Sequence, residues 1–194
     1  KYIEESFTPI LKDNVVIGVS VFTKDVTQQK RYEEHITRLS YYDAITNLYN
    51  RHYFQKVISE LDPNKTKITI ISLDVNGLKV INDTFGHDMG DKLIIHVAKI
   101  LKENFKENSY IFRMGGDEFT IILIDVDRNH AQRKMEKIIK SFNKDKFMQM
   151  TISVSYGISS NENQESIAEL LKSSEEEMYK QKLYEFNSHR SEFI

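Results

Sequence analysis

The sequence predicts an α/β domain of the α+β kind, in which helices cover a central, mainly antiparallel five-stranded sheet. The first observation is that apolar runs of strand length, such as residues 68–75, alternate with stretches of helical periodicity. The second is that two further apolar runs, 110–112 and 119–123, flank Gly115-Gly116. A glycine pair between strands is typical of a hairpin, because positive φ costs glycine little, and a hairpin implies antiparallel pairing.

Length and composition exclude several classes of protein. The 194 residues leave room for one domain and an appendage, and 40% hydrophobic with 29% charged residues is typical of a globular domain. A formal net charge of −2 argues against a nucleic-acid partner, which would require clustered Lys and Arg. The chain has no cysteine, which excludes a disulfide framework, a thiolate metal site and a cysteine nucleophile.

Location is indicated only by what the sequence lacks. No apolar run approaches the roughly 20 residues that cross a bilayer, and no signal peptide is visible. The absence of cysteine suits a reducing compartment, so we expect a cytoplasmic domain with no membrane contact in this segment. Because the chain begins at Lys1 rather than Met, we expect a fragment of a longer parent protein that could be attached to a membrane.

Residues 1–26 contain two β-like runs, 7–11 and 15–22, joined by a turn signal at 12–14. A lone hairpin is barely stable in water, so this one should belong to a larger sheet or pack against another surface. Its Pro-Ile, Ile-Gly-Val and Asp-Val-Thr segments resemble the last two strands and the exit of a PAS sensor domain. An unrelated N-terminal hairpin is the alternative.

A connector helix is predicted over residues 27–40, with Asp25 or Thr27 as its N-cap. Tyr32, Ile36 and Leu39 follow helical spacing along one face. The amphipathic stretch is too short to predict a coiled coil from it.

The domain proper is predicted over residues 41–194, and its elements follow in order. We expect helices over about 51–61, from Asp88 or Asp91 to about Lys102, over 129–142, and from Ser166 onward. Strands are expected over 68–75, buried on both faces, on either side of the hairpin turn, and over 149–159. The inner face of the last helix should carry Ile167, Leu170, Leu171, Met178 and Leu183.

One motif stands out at the hairpin. Residues 115–119 read Gly-Gly-Asp-Glu-Phe, which places two adjacent carboxylates, Asp117 and Glu118, at a corner between buried strands. Successive strand residues point to opposite faces, so only one carboxylate should aim directly into a site beside the turn. Ordinary turn chemistry with solvated acids is the alternative. The five residues in this order resemble the signature of the GGDEF family, the diguanylate cyclases, which join two GTP into cyclic di-GMP.

Two further segments carry the same resemblance. Residues 43–51 resemble the family's opening Asp-x-Leu-Thr-Gly-Leu-x-Asn-Arg, with Ile45 for Leu and Asn47 for Gly, and Asn tolerates the left-handed conformation of that glycine. Residues 74–91 match the family's spacing through all eighteen positions, with Asn76 for Asp and Leu78 for Phe. The resemblance implies a core similar to the polymerase palm and the nucleotidyl cyclases.

The reaction that the resemblance implies is phosphoryl transfer with Mg²⁺ or Mn²⁺ as cofactor. The implied metal ligands are Asp74, Asp117 and the carbonyl of Val75. A carboxylate at the end of a buried strand, as Asp74 is, needs a partner, and a divalent cation would supply one. Glu118 is assigned either to the metal or to deprotonating the attacking hydroxyl. Lys79 is counted with Asp117 and Glu118 as catalytic.

Contacts with GTP are implied as well. Gly77, Leu78 and Lys79, at the start of a short helical turn, and Lys182 of the last helix would bind phosphates. Asn82 and Asp91 would read guanine.

A carboxylate complements the two N–H donors on the guanine edge, whereas adenine presents an acceptor there. A helix N-cap is the alternative role of Asp91.

Two departures from the family pattern matter. Phe186 stands where the family has an arginine four residues after Lys182, which removes one phosphate contact. Lys106 and Ser109 stand where many members carry the Arg and Asp of a product-inhibition site. Lysine lacks the arginine fork and serine lacks the carboxylate, so no such site is expected here.

The implied assembly is a homodimer, because each protomer holds one GTP and two must face each other. The helix over 27–40 would set that encounter, and Arg113 matches a family arginine near the partner's active site, so it is counted as catalytic. The domain would be the output of a bacterial signalling protein. The rival hypothesis is a degenerate module that binds GTP or a partner without turnover, favoured by Asn76 and Phe186. A nucleic-acid polymerase is disfavoured by size and charge.

Overall fold

The computed structural model describes residues 1–144, 147, 151–162 and 165–191. It divides into two compact units, Lys1–Ser40 and Tyr41–Ile194. In the described residues, no helix is long and apolar enough to cross a membrane.

The first unit contains a two-stranded antiparallel hairpin, β1 (Ile3–Lys12) and β2 (Val15–Asp25), followed by helix α1 (Thr27–Tyr41). Asp13 and Asn14 form the turn with φ of 52° and 61°, the conformation that suits a two-residue hairpin loop. The Asp25 side chain accepts a hydrogen bond from the Thr27 N–H at the start of α1. The resemblance of this hairpin to a PAS domain stays a prediction.

Apolar side chains of this unit are exposed to solvent. Pairing of Phe7 with Val21 and of Pro9 with Val19 places these four residues on one face of the hairpin. The predicted apolar stripe of α1, at Tyr32, Ile36 and Leu39, is between 60% and 69% exposed.

The second unit is built on one five-stranded sheet in the order β3-β5-β6-β4-β7. Its elements are β3 (Tyr49–Asn50), α2 (Arg51–Glu60), β4 (Ile68–Val75), α3 (Leu78–Phe85), α4 (His87–Asn104), β5 (Ser109–Gly115), β6 (Glu118–Ile124), α5 (Arg128–Lys144), β7 (Val154–Ser160) and α6 (Ile167–Ser191). All pairings are antiparallel except that of β3 with β5. The predicted mixed fold with a mainly antiparallel five-stranded sheet is confirmed, and β3 is the strand to which the sequence assigned no residues.

Strand β4 lies at the heart of the core, since all eight of its residues are buried. On one face, Ile71, Leu73 and Val75 belong to a core cluster that also contains Leu93 of α4 and Ile138 of α5. On the other face, Ile68 and Ile70 belong to a second cluster with Phe54 of α2 and Leu170 of α6. Burial on both faces explains why β4 reads as an uninterrupted apolar run that ends at Asp74.

Helix α6 lies unusually close to β7. A Cβ added at Gly157 would lie 2.1 Å from the carbonyl oxygen of Ser174 and 2.5 Å from the nitrogen of Met178. Ser174 also shares a buried 2.8 Å hydrogen bond with Ser72 of β4. The missing side chain at Gly157 therefore lets α6 lie against the sheet, which brings the later residues of α6 to the end of β4.

Several predicted boundaries are wrong. Helix α4 begins at His87, because Gly86 with φ of 85° turns the chain directly from α3 into α4. Neither Asp88 nor Asp91 begins this helix, so the alternative role of Asp91 as a helix N-cap is wrong.

Strand β7 begins at Val154 rather than Gln149, and residues 148–150 lie outside the described part of the chain. Leu183 is 45% exposed rather than inward-facing. Its neighbour Lys182 takes the side toward the sheet, and adjacent helix residues point about 100° apart.

Candidate active site

The two carboxylates of the hairpin, Asp117 and Glu118, lie in different parts of it. Gly115 pairs with Glu118, and the register shifts between Arg113 and Gly115. The two turn residues are therefore Gly116 and Asp117, and the prediction of Gly115-Gly116 as the turn pair is wrong by one residue. The register shift inserts one extra residue of β5 as a bulge, so the turn lies one residue later in the chain, nearer the two acids. Asp117 lies in the turn itself, and Glu118 is the first residue of β6.

Asp74 lies at the end of β4, directly beside this turn. Asp74 is only 4% exposed, and its Oδ2 accepts a 2.7 Å hydrogen bond from Lys182 Nζ. Its Oδ1 is buried and has no hydrogen-bond partner within the part of the chain that is described. Burial raises the pKa of Asp74 above its usual range; the Lys182 bond opposes this, and the negative charge of Asp117 adds to it.

Backbone pairing fixes the turn to the end of β4. The N–H of Val75 donates a 3.0 Å hydrogen bond to the carbonyl oxygen of Asp117. Glu118 pairs with Asp74 in the register of β4 and β6, so both side chains stand on the face that α6 covers. Glu118 is exposed, whereas Asp117 is partly buried. Three acidic side chains therefore converge on one edge of the sheet.

The donor set here fits a divalent cation of the Mg²⁺ type. Mg²⁺ takes oxygen ligands and commonly only one or two carboxylates, keeping its remaining positions for water or substrate phosphate. Asp74 offers a buried oxygen without a partner, and Asp117 lies close enough to perturb its pKa. Among the described residues, no group of three or more His, Cys, Asp or Glu could hold a metal ion by themselves. The site is suited to a cation that nucleotide helps to bind.

The segment predicted to bind phosphate begins just after β4. Gly77 has φ of 78° and precedes the first residue of α3, Leu78. A left-handed residue at this point suits glycine and directs the chain into the helix, whose first N–H groups favour anions. Lys79 is exposed at the same end. Lys182 is also predicted to bind phosphate, and in this structure its ammonium forms an ion pair with Asp74.

The two predicted guanine readers lie on adjacent helices. Asn82 belongs to α3 and Asp91 to α4. The Asn82 Oδ1 is buried and has no hydrogen-bond partner among the described residues, whereas Asp91 is exposed. A buried amide oxygen without a partner is costly unless a ligand supplies the missing donor.

The comparisons with known proteins bear on this site. The family model described as diguanylate cyclase, GGDEF domain matches residues 40–188. The chain belongs to the GGDEF family.

Curated relatives agree with this assignment. The signaling protein YkoW of Bacillus subtilis is 32% identical over 182 residues, which cover 88% of this chain and 23% of that protein. Diguanylate cyclase DgcM of Escherichia coli is 31% identical over 163 residues, 81% of this chain and 40% of that protein. The chain thus spans less than half the length of these relatives.

A solved structure shares the fold. The coiled coil and GGDEF domain of DgcB from Caulobacter crescentus, in complex with c-di-GMP, superposes with a TM-score of 0.72 and 25% identity. The match covers 80% of this chain and 87% of that one.

Arg113 of the GGDEF domain is engaged within its own chain. Its Nη1 donates to the Oδ1 of Asp43 at 3.0 Å, and its Nε and Nη2 donate to the carbonyl oxygen of Gly116 at 3.1 and 2.8 Å. The Arg113 side chain is only 9% exposed. This arginine therefore links the opening motif to the turn that carries Asp117. Its catalytic role beside a partner's site stays a prediction.

The loop that presents Asp43 is itself well ordered by hydrogen bonds. Burial by itself would raise the pKa of Asp43, but hydrogen bonds from the Thr46 hydroxyl and N–H, and from Arg113, outweigh burial and lower it. Asn47 adopts φ of 54°, so the left-handed conformation predicted for it is confirmed.

Asn76 replaces a family aspartate and is fixed by two serines that sequence reasoning missed. Its Nδ2 donates to the hydroxyls of Ser153 at 2.9 Å and Ser155 at 3.0 Å. No sequence signal marks these serines, because they lie more than 70 residues away, Ser153 just before β7 and Ser155 within it. An amide can donate to both hydroxyls, whereas the family's aspartate could only accept.

Glu175 of α6 is a further acid near the site that the sequence did not reveal. Burial and the charge of Glu118 raise its pKa, while Arg51 opposes the rise. Glu175 and Lys182 are seven residues apart on α6, about two helical turns, so they lie on the same side of that helix.

The predicted loss of the product-inhibition site stays a prediction. Lys106 and Ser109 line a cavity of about 330 Å³, together with Tyr42, Leu48 and Phe105. The Ser109 hydroxyl donates to the Lys106 carbonyl at 3.3 Å. The side chain of Phe186, the other departure, lies outside the described part of the chain.

Proposed function

We propose that residues 41–194 condense two GTP into cyclic di-GMP and pyrophosphate. The observation that carries this proposal is the Oδ1 of Asp74, which is buried beside Asp117 and has no hydrogen-bond partner among the residues that the structure describes. A structural aspartate would satisfy both oxygens, whereas a metal ligand leaves one available. Membership in the GGDEF family and the resemblance to diguanylate cyclase DgcM support the same reaction.

The acidic residues of the site would have two roles, metal binding and proton transfer. Asp74, Asp117 and the Val75 carbonyl would hold Mg²⁺ or Mn²⁺. When bound, the cation would neutralise phosphate charge and make the attacking 3′-hydroxyl more acidic. Glu118, exposed at the start of β6, would take the hydroxyl proton or complete the metal site.

Nucleotide binding would be shared between two helices. The first turn of α3 at Gly77 and Leu78, with Lys79 and Lys182, would hold the phosphates. Asn82 and Asp91 would pair with the guanine edge. Adenine presents an acceptor where guanine presents a donor, so ATP would leave buried polar groups unpaired.

Turnover would require a second copy of the chain. One domain holds one GTP, so two domains must face each other to form both phosphodiester bonds. We propose that α1 sets this homodimer, with its exposed stripe at Tyr32, Ile36 and Leu39 as the contact. Arg113 would either act in the partner's site or stay in its own chain with Asp43.

The second candidate function is a degenerate module that binds GTP or a protein partner without turnover. Asn76 favours it, because the amide is committed to Ser153 and Ser155 and carries no negative charge. Phe186 in place of an arginine favours it as well.

The test is incubation with GTP and Mg²⁺, followed by chromatography for cyclic di-GMP and an assay for pyrophosphate. Asp117→Asn and Asp74→Asn are expected to lose nearly all product, since each removes a charged ligand. A matched control is Asp125→Asn, at the far end of β6. Full activity in either site variant would overturn the metal assignment, and GTP binding without product in the wild type would establish the second candidate.

A further inference from the structure

Gly90 directly precedes Asp91, one of the two candidate guanine-binding residues, and the reason for a glycine at this position is not evident from the sequence motif. It lies within α4, is buried, and does not have the positive φ that favours glycine. Alanine is favoured over glycine in a helix, so local conformation gives no reason for glycine at this position. The reason must lie in the space around its Cα.

That space is filled by Asn82. A Cβ added at Gly90 would lie 1.9 Å from the Oδ1 of Asn82, 2.9 Å from its Cγ and 3.1 Å from the Cδ1 of Leu78. The first two contacts are closer than real Cβ atoms approach, and both involve the terminal group of one side chain. An alanine would therefore displace the Asn82 amide, while the backbones of α3 and α4 could stay in place.

The Asn82 amide that an alanine would displace carries a buried oxygen without a hydrogen bond in the described part of the chain. The Asn82 Oδ1 is buried and without a partner among the described residues, so it is positioned for a donor from outside the chain. We propose that Gly90 is a positioning residue for guanine specificity: by lacking a side chain, it allows the Asn82 amide to stand where it can pair with the base. This inference rests on the proposed function and deepens it.

The experiment compares binding of two unreactive nucleotides. In guanosine and adenosine triphosphate analogues, a methylene group replaces the oxygen between the α- and β-phosphorus atoms, so the bond that the reaction breaks is blocked. Calorimetry with Mg²⁺ measures the affinity of each analogue for wild type, Gly90→Ala and the exposed control Lys92→Ala. We expect Gly90→Ala to weaken the guanosine analogue about tenfold or more. The adenosine analogue should change little, and Lys92→Ala should resemble wild type.

A double variant separates positioning from a general effect on the fold. Asn82→Ala removes the amide that the new methyl group would meet. If Gly90 acts through Asn82, adding Gly90→Ala to Asn82→Ala costs no further affinity for the guanosine analogue. If Gly90→Ala is unfolded by circular dichroism, the double variant should fold again.

Three results would overturn the inference. They are an unchanged affinity for the guanosine analogue in folded Gly90→Ala, an equal loss of affinity for both analogues, and an additive loss in the double variant. A double variant that also stays unfolded would show that the clash is not with Asn82. If the wild type itself does not prefer the guanosine analogue, the proposed function fails instead, and the two failures are distinguishable.

Discussion

Replacing Lys182 with methionine tests how the site balances charge before metal and nucleotide bind. The ammonium of Lys182 lies 2.7 Å from a carboxylate oxygen of Asp74, whose side chain is 6% exposed. Removing one partner of a fully buried pair typically costs about 3–5 kcal/mol, whereas a surface pair contributes about 0–1 kcal/mol. The Lys182 side chain is 42% exposed, so solvent screens part of the interaction.

We therefore expect Lys182→Met to lower the free energy of unfolding by about 1–2 kcal/mol in the absence of metal, between the values for surface and buried pairs. For a unit of this size, that corresponds to a melting temperature lower by roughly 2–8 °C. Lys180→Met is the matched control, because Lys180 is an exposed residue two positions before Lys182 on the same helix. It should melt like the wild type in differential scanning calorimetry.

The same variant should bind metal more tightly. In the absence of nucleotide, the ammonium of Lys182 and a divalent cation compete for the carboxylate of Asp74. We expect Lys182→Met to bind Mn²⁺ about tenfold more tightly, an effect of about 1.4 kcal/mol, as read by electron paramagnetic resonance of free Mn²⁺. Binding that is unchanged, or weaker because lysine serves to orient the carboxylate, would refute this reasoning.

Three further predictions follow from other contacts. Gly157→Ala should destabilise the domain by about 1–3 kcal/mol or more, because the new methyl group meets the backbone of α6 at Ser174; a melting temperature equal to wild type would contradict this. The lowered pKa of Asp43 implies stability that is present above its ordinary value of 3.8 and is lost as pH falls through the lower folded pKa. Asp43→Asn should remove that part of the acid unfolding curve, and should lower activity by weakening the link that Arg113 makes between the opening motif and the turn. Cyclic di-GMP should not inhibit non-competitively at sub-micromolar concentration, because Lys106 lacks the arginine fork; titration into a turnover assay checks this.

The sequence by itself determined the class of fold and the chemical types of the site. The uninterrupted apolar run of β4 could be read as a strand buried on both faces, and the acids after it could be recognised as costly to bury. Asn47 could be assigned a left-handed conformation, since Asn tolerates positive φ. These inferences depend on local chemistry, which a single segment contains.

Strand β3 was not predicted, and the hairpin turn was predicted one residue too early, because both depend on other segments of the chain. Two residues, Tyr49 and Asn50, form a strand only because β5 lies parallel to them. The turn lies one residue later than predicted because a bulge follows Arg113. The side chain of this arginine binds both Asp43 and the carbonyl of Gly116. A contact across 70 residues of chain has no signature in either segment.

The tertiary structure alone decided which site residues meet. The sequence assigned Lys182 to phosphate and Asp74 to metal, yet the two form one ion pair. That pairing arises because Gly157 lets α6 lie against β7, which places the later turns of the helix over the end of β4. Spacing along a chain can reveal which residue types a site contains, but the distance between them is set by how closely the helices pack on the sheet.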